Sequence, residues 1–481
     1  MKSLSLEDKN LIEKLKSLPI DYWDFKGEDT KELTHGLHTY PAVMVYPISR
    51  KIIDIMQETH QLNSLLDPFM GSGTVLIEAM LAGYKQIYGV DLNPLAQLIT
   101  KVKMTIINSE SLKLESENLY RGLRDNFDSL SVTINGLNEY ITSEKGLDVS
   151  AKTGWGDSAP NLIREYFNTI NFAYDIPEYK NIGYWFKPTV ILELQILKNA
   201  IKKESDMDIR DFFFIAMSET IRLVSNRRNG EFKMFRMPAD KVLKHNPSVL
   251  AEFTKILNRN IEKMKDFERI CLEHKFCPEI KIVAEDTRQL NSIPDNSIDI
   301  MITSPPYGDS RTTVAYGEFS RLSLQWLDLC DNPEDTTKID SKLMGGKKYA
   351  KGFEYDLNSE TLRQSLDKIK SVDLARAGDV YSFYKDLNDC LRAVSAKMRE
   401  NSYQFWVVGN RIVKLETLQT DKIITELGVD YRLQHIYTVP RNIPNKVMPS
   451  LNSPTNIIGE KVATMTNEHI VILRKIKNDC L

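Results

Sequence analysis

The 481-residue chain predicts an α/β fold, a doubly wound and mostly parallel sheet that carries a largely helical inserted block. Three observations predict it. LLDPFMGSGTVLIEAMLAGYKQIYGVDLNP, residues 65–94, alternates strand, glycine-rich turn, helix and strand. KIVAEDTRQLNSIPDNSIDIMITSPPYGDS, residues 281–310, resumes the same alternation. Between them, residues 106–277 show only helical periodicity.

In the first stretch Leu65 and Leu66 close a short apolar strand and Asp67 stands at its carboxyl end. Gly71 and Gly73 bracket a turn whose backbone must hug a ligand, where Cβ atoms would obstruct. From Thr74 the chain turns helical, with Leu76, Ile77, Met80 and Leu81 at helical spacing, and Gly83 ends it. Ile87–Val90 is the next strand and Asp91 lies at its tip, placed to accept hydrogen bonds from ribose hydroxyls. GSGT lacks the Gly-Lys-Ser/Thr ending of a triphosphate loop, so that class is excluded.

Ahead of this unit, HGLHTYPAVMVYPISRKIIDIM (35–56) reads as a loop with Pro41 and Pro47, then a helix from Ser49. After it, Asn93-Pro94 opens a helix from Ala96. In the helical block, helices are expected from Pro188, over 209–225 and over 249–272. RLVSNRRNGEFKMFR (222–236) sets Arg227, Arg228, Lys233 and Arg236 about an Asn229-Gly230 turn, with Phe232 and Phe235 interleaved. Such cations at a loop tip grip phosphates, and arginine reads guanine edges. NIGYWFKP (181–188) is a second aromatic-rich surface or a piece of core. Cys271, His274 and Cys277 fall short of the four ligands of a structural zinc site, so no metal is expected.

In the second stretch Lys281–Ala284 is a strand with Asp286 beyond it, and Ser297–Thr303 delivers Ser304-Pro305-Pro306-Tyr307 to its carboxyl end. A helix follows over 316–329, then a segment read as a basic loop, 330–378, with Lys347 and Lys348 beside Gly345-Gly346. The remainder returns to strand and helix, ending in HIVILRK (469–475). Arg441, Asn445 and Lys446 are candidates to face a substrate.

DPFMGSGT and SPPY together resemble the motifs of the amino-directed nucleic-acid methyltransferases, those acting on cytosine N4 or adenine N6. The resemblance covers about 35–100 and 280–475 and implies a Rossmann-like methyltransferase sheet. It also implies S-adenosyl-L-methionine as cofactor, held by Tyr40, Pro41, Asp67, Phe69, Gly71, Gly73, Thr74, Asp91, Leu92 and Asp286. His38, Tyr40, Pro41 and Ala42 match the segment that walls the methionine side of the cofactor. Asp286 matches the position that contacts the adenine amine or ribose.

The catalytic set implied is Ser304, Pro305, Pro306 and Tyr307. The Ser304 hydroxyl and Pro305 carbonyl accept from the target amine, prolines hold that carbonyl rigid, and Tyr307 stacks the flipped base. The catalytic domain is then 1–105 plus 278–481, with 106–277 as the probable target-recognition region. The Asp286 strand follows the insertion rather than preceding it, a departure from the arrangement the motif order otherwise matches. Serine in the tetrapeptide leans towards cytosine N4.

Double-stranded DNA is the implied substrate and a cognate restriction endonuclease the implied partner. C5-cytosine chemistry needs a Pro-Cys nucleophile, and the chain has only the reversed Cys277-Pro278. RNA guanine-N2 transfer and a non-catalytic specificity subunit remain as alternatives. A net charge of −3 confines nucleic-acid contact to local basic patches. Five scattered cysteines, a charged N-terminus and no long apolar run are expected of a cytoplasmic chain with no membrane partner.

Overall fold

The computed structural model describes residues 3–41, 43–144, 158–228, 233–309, 314–349, 352–443, 451–452, 462–463 and 467–477. Among these, seven strands form one sheet: β1 (Ser64–Asp67), β2 (Gln86–Val90), β3 (Glu279–Val283), β4 (Ile298–Thr303), β5 (Met398–Gly409), β6 (Leu433–Asn442) and β7 (Asn467–Lys475). Their spatial order is β3-β2-β1-β4-β5-β7-β6. β1 to β5 run parallel, and β7 lies antiparallel to both β5 and β6.

The chain builds outward from β1 through β2 to β3, then returns to the other side of β1 as β4. That reversal opens a crevice at the carboxyl ends of β1 and β4, the place where open α/β sheets bind ligands. Because side chains alternate along a strand, the sheet feeds two cores. Leu65, Ile300, Ile302, Phe405 and Val407 face one. Leu66, Met301, Trp406 and Val408 face the other.

The first face is covered by helices Tyr46–Gln57, Thr74–Leu81 and Pro94–Met104, and by the inserted block. That block consists of helices, including Ser109–Glu139, Ala159–Thr169, Pro188–Ile201, Met207–Val224 and Val249–His274. The 31-residue helix Ser109–Glu139 is hard to read from sequence because its surface is largely polar; Leu112, Leu123 and Leu137 are its buried apolar residues. Met207–Val224 packs on Pro94–Met104 and on Tyr316–Trp326. The inserted helices thus share a core with the sheet.

The second face is covered by Glu360–Val372, Leu374–Lys397 and Thr420–Gly428. This corrects the reading of 330–378 as a loop. Pro333–Thr337, Ile339–Lys342 and Glu360–Val372 are helical. Leu362, Leu366 and Ile369 form a helix-spaced stripe that buries against the sheet. Ser359 caps that helix, its hydroxyl accepting from the Leu362 amide at 3.1 Å. No described helix is long and apolar enough to cross a membrane.

Candidate active site

A cleft opens at the carboxyl ends of the central strands. Its floor is the turn after β1. Met70 donates its amide to the Val90 carbonyl at 3.1 Å, which ties the turn to β2. Gly71 has φ +49° and Gly73 φ +79°, left-handed values that favour glycine at both positions. The two glycines serve different ends. Gly71 faces the cleft below the Tyr40 ring. Gly73 does not line it; a Cβ there would sit 2.7 Å from Thr100 Cγ2. Close packing on helix Pro94–Met104 therefore makes the second glycine necessary, which corrects its placement against a ligand.

Asp91, just beyond β2, lines the cleft with its carboxylate already oriented. It accepts from the Gly71 amide at 3.1 Å and the Asn93 amide at 2.8 Å. Burial pushes its carboxyl up to about 7, against the pull of those two amides. Asp67 behaves alike: burial raises it to about 7 although the Thr303 hydroxyl donates at 2.6 Å and the Phe69 amide at 3.1 Å. The Asp67–Thr303 bond joins residues 236 apart in sequence and bridges the crevice between β1 and β4. Tyr40, Pro41, Phe69, Thr74 and Leu92 also line the cleft. Ala42, read with them, lies outside the described residues.

Asp286 lines the cleft too, but its carboxylate is gripped by Arg288, whose Nε lies 2.8 and 3.0 Å from its two oxygens. Arg288 also pairs with Asp386 at 2.9 Å and donates to the Lys342 carbonyl at 2.9 Å. It thereby holds the segment Lys342–Met344 over the cleft. Sequence reasoning missed Arg288 altogether and named Asn93 only as the opening of a helix. Asn93 donates to the Tyr40 hydroxyl at 3.1 Å and to Ser320 Oγ at 2.7 Å, fixing the wall above the glycine turn. Its position before Pro94 was the available signal.

β4 delivers the SPPY tetrapeptide to the same cleft. Ser304 and Pro306 line it, whereas Pro305 is buried behind them and Tyr307 stands off the lining. Tyr307 Oη lies 3.2 Å from Ser304 Oγ and donates to Glu468 Oε1 at 2.9 Å. Burial and the neighbouring Glu468 carboxylate hold the Tyr307 proton more tightly than usual. Glu468 is ion-paired with Arg441. Arg441, a sequence candidate to face a substrate, is instead buried, and its Nε donates to the Trp23 carbonyl at 2.9 Å. Asn445 and Lys446 lie outside the described residues. Two residues past the tetrapeptide, Asp309 is wholly buried between Arg376 and Arg411, each 3.2 Å away.

The basic candidates separate by exposure. Arg227 is buried, its Nε donating to the Arg222 carbonyl at 3.3 Å, and is not at a loop tip. The reason is a hairpin stem: Arg227 bridges Arg236, and Arg228 donates its amide to the Phe235 carbonyl at 2.7 Å. Arg228 is exposed at the end of that stem and Lys233 half-buried; Asn229, Gly230 and Phe232 lie outside the described residues. Arg236 is half-buried, donating to the Tyr184 carbonyl at 2.9 Å with its guanidinium 4.9 Å from the Tyr184 ring. Lys347 and Lys348 are exposed, and the Lys347 ammonium lies 4.9 Å from the Tyr349 ring. His38 is buried, hydrogen-bonded to Ser218 at 2.9 Å and pushed down to about 4 by burial.

A glycine turn, two acidic strand tips and a Ser-Pro-Pro-Tyr turn, meeting at the switch point of a mostly parallel sheet, define the ligand site of a doubly wound α/β protein. No family model matches the chain. Along its whole length it is similar to the type II methyltransferase M.MvaI of Kocuria varians, 39% identical over 99% of this chain and 100% of that protein. The type II methyltransferase M.MjaII of Methanocaldococcus jannaschii is 26% identical over 64% of this chain and 66% of its own. The type II methyltransferase M.BsoBI of Geobacillus stearothermophilus is 23% identical over 51% and 44%. A solved rRNA methyltransferase, aviRa from Streptomyces viridochromogenes, aligns at a TM-score of 0.30 and 9% identity, too slight a likeness to carry an argument. The chain belongs to the type II methyltransferases.

Proposed function

We propose that this methyltransferase moves a methyl group from S-adenosyl-L-methionine to the exocyclic amine of a base flipped out of duplex DNA, cytosine N4 in the first instance. One observation carries the reading: the glycine turn with Asp91 and the SPPY turn line a single cleft, although they are far apart in the chain. The residues fit the cofactor. Asp91 keeps lone pairs for ribose hydroxyls beyond its two backbone partners. Ser72 Oγ, buried at the turn, has no hydrogen-bond partner among the described residues and awaits a polar ligand.

When bound, the cofactor supplies a methyl made electrophilic by its sulfonium. The chain's own work is orientation. Tyr40, held by Asn93, walls one side, and Asp91 fixes the sugar. Ser304 accepts from the amine, so that the nitrogen lone pair is freed from the ring towards the methyl, and the excess proton on the methylated nitrogen passes to water. The base leaves the helical stack to reach Ser304, since the amine cannot approach within a duplex. Holding partners in line at near-attack distance can supply up to roughly 7–11 kcal/mol of such a barrier.

Arg228, Lys233, Lys347 and Lys348 are the proposed phosphate contacts, with Arg236 steadying the hairpin that carries Arg228. The helical block 106–277 is the proposed target-recognition region of a split catalytic domain. A cognate restriction endonuclease is the proposed partner, which makes host-DNA protection the proposed biology.

The test is mass spectrometry of nucleosides from duplex DNA incubated with the protein and isotopically labelled S-adenosylmethionine. N4-methylcytosine is the expected product. N6-methyladenine would retain the chemistry and overturn the base assignment. Label appearing in tRNA or rRNA but not in DNA would overturn the DNA reading.

A further inference from the structure

We infer that Glu468 is a positioning residue: through Tyr307 it sets the direction of a hydrogen-bond chain that makes the Ser304 hydroxyl an acceptor towards the cleft. The inference rests on reading the cleft as a methyl-transfer site. β7 runs against the five parallel strands, so its first residues reach the edge of the sheet where those strands end. Glu468 is the second residue of β7 and pairs in register with Arg441 of β6. The two side chains form an ion pair, and Arg441 is anchored in turn on the Trp23 carbonyl. The Glu468 carboxylate is thus held in place from behind.

The direction follows from counting protons. A carboxylate only accepts, whereas a hydroxyl has one proton to give and two lone pairs. Tyr307 gives its proton to Glu468 at 2.9 Å. In the 3.2 Å contact between Tyr307 Oη and Ser304 Oγ, Ser304 is therefore the donor. With its proton committed to Tyr307, Ser304 turns lone pairs to the cleft and cannot present an O–H there. An amine has to be met by an acceptor if its own protons are to be held and its lone pair released. An aspartate in this place would accept unaided, but a serine needs its proton directed elsewhere. The chain from Ser304 through Tyr307 to a carboxylate also polarises each bond in the same sense, which strengthens Ser304 as an acceptor.

The experiment is steady-state kinetics on duplex DNA with S-adenosylmethionine, together with calorimetric cofactor affinity, for two single variants and their combination. Glu468→Gln replaces the obligate acceptor with a group that can also donate. Tyr307→Phe breaks the chain while keeping both the ring and the Glu468–Arg441 pair, so it remains informative if Glu468→Gln folds poorly. The expected result is a fall in kcat of about tenfold or more in each, the scale of one directed hydrogen bond, with cofactor affinity within about twofold of the unsubstituted chain. The double variant is expected to be no slower than the slower single, because both cut one chain.

Unchanged kcat in Tyr307→Phe, or two losses that multiply, would overturn the inference. A parallel loss of cofactor affinity and kcat would also overturn it, reducing Glu468 to a strut. Failure of the unsubstituted chain to label DNA would be a different result, one that sinks the methyl-transfer reading itself before any variant is compared.

Discussion

At Asp91 two backbone amides, from Gly71 and Asn93, converge on one carboxylate, yet burial still holds its carboxyl up to about 7. The folded chain therefore binds this proton more tightly than the unfolded chain does. The charged form costs stability, and that cost grows as pH rises from the ordinary carboxylate range through about 7. Hydroxyls donated by a ligand stabilise the charged form and so lower the carboxyl in the complex. Cofactor affinity is accordingly expected to rise with pH up to about 7 and then level off, with proton release on binding below it. Calorimetry in buffers of different ionisation enthalpy reads both quantities; affinity independent of pH would remove Asp91 from the binding step. Asp91→Ala should weaken cofactor binding about tenfold or more, the scale of a hydrogen bond to a charged group, and leave the circular dichroism spectrum unchanged. The acidic tip was legible in sequence because Val90 closes a strand just before it. Its buried environment was not, because Tyr40 and Tyr316 reach it from other parts of the fold.

The glycine turn and the basic segments show where an element's meaning depends on its neighbours. Gly73→Ala introduces a Cβ 2.7 Å from Thr100 in a left-handed backbone, so a loss of about 1–3 kcal/mol in chemical denaturation is expected. Gly71→Ala meets only the Tyr40 ring, at 3.6 Å, and carries the conformational cost without the clash. It should therefore be milder in stability; equal losses would show that backbone strain alone dominates. The basic segment 222–236 was legible as a turn from Asn229-Gly230. The register of its stem, which buries Arg227 and exposes Arg228, was not. Lys347 and Lys348 stand exposed on a segment that Arg288 ties to the cleft. Replacing both with glutamine should reduce the slope of log affinity for DNA against log salt by roughly 2, the loss of two phosphate contacts. An unchanged slope would place these lysines away from DNA.

For the molecule as a whole, a single apolar core runs from the inserted helices into one face of the sheet. Phe212, Ile215 and Ile221 belong to the same cluster as Ile300 and Ile470. Helices with no separate core have no means of unfolding alone. Heat or denaturant should give coincident transitions by far-ultraviolet circular dichroism and by tryptophan fluorescence, to which Trp326, buried against Phe186 and Tyr179 of the insertion, contributes. Two separated transitions would show that the insertion folds independently. The net charge of −3 belongs to this scale as well. It leaves any attraction for a polyanion to local groups of exposed cations.

The order of strands and helices around the two motifs was determined by sequence alone. Apolar alternation, helical spacing and glycine placement are local, and local rules set which segment becomes a strand and where a turn must open. The same rules placed Asp67, Asp91 and Ser304 at strand tips. What those tips share was decided only by the tertiary structure. The return of β4 beside β1 brings Thr303 to Asp67 and closes one cleft from two motifs. The antiparallel β7 carries Glu468 to Tyr307 and sets it opposite Arg441. Neither follows from local pattern, because strand register and crossover direction depend on how distant faces bury each other, and a charged residue at the start of a strand gives no sign of which side chain it will meet.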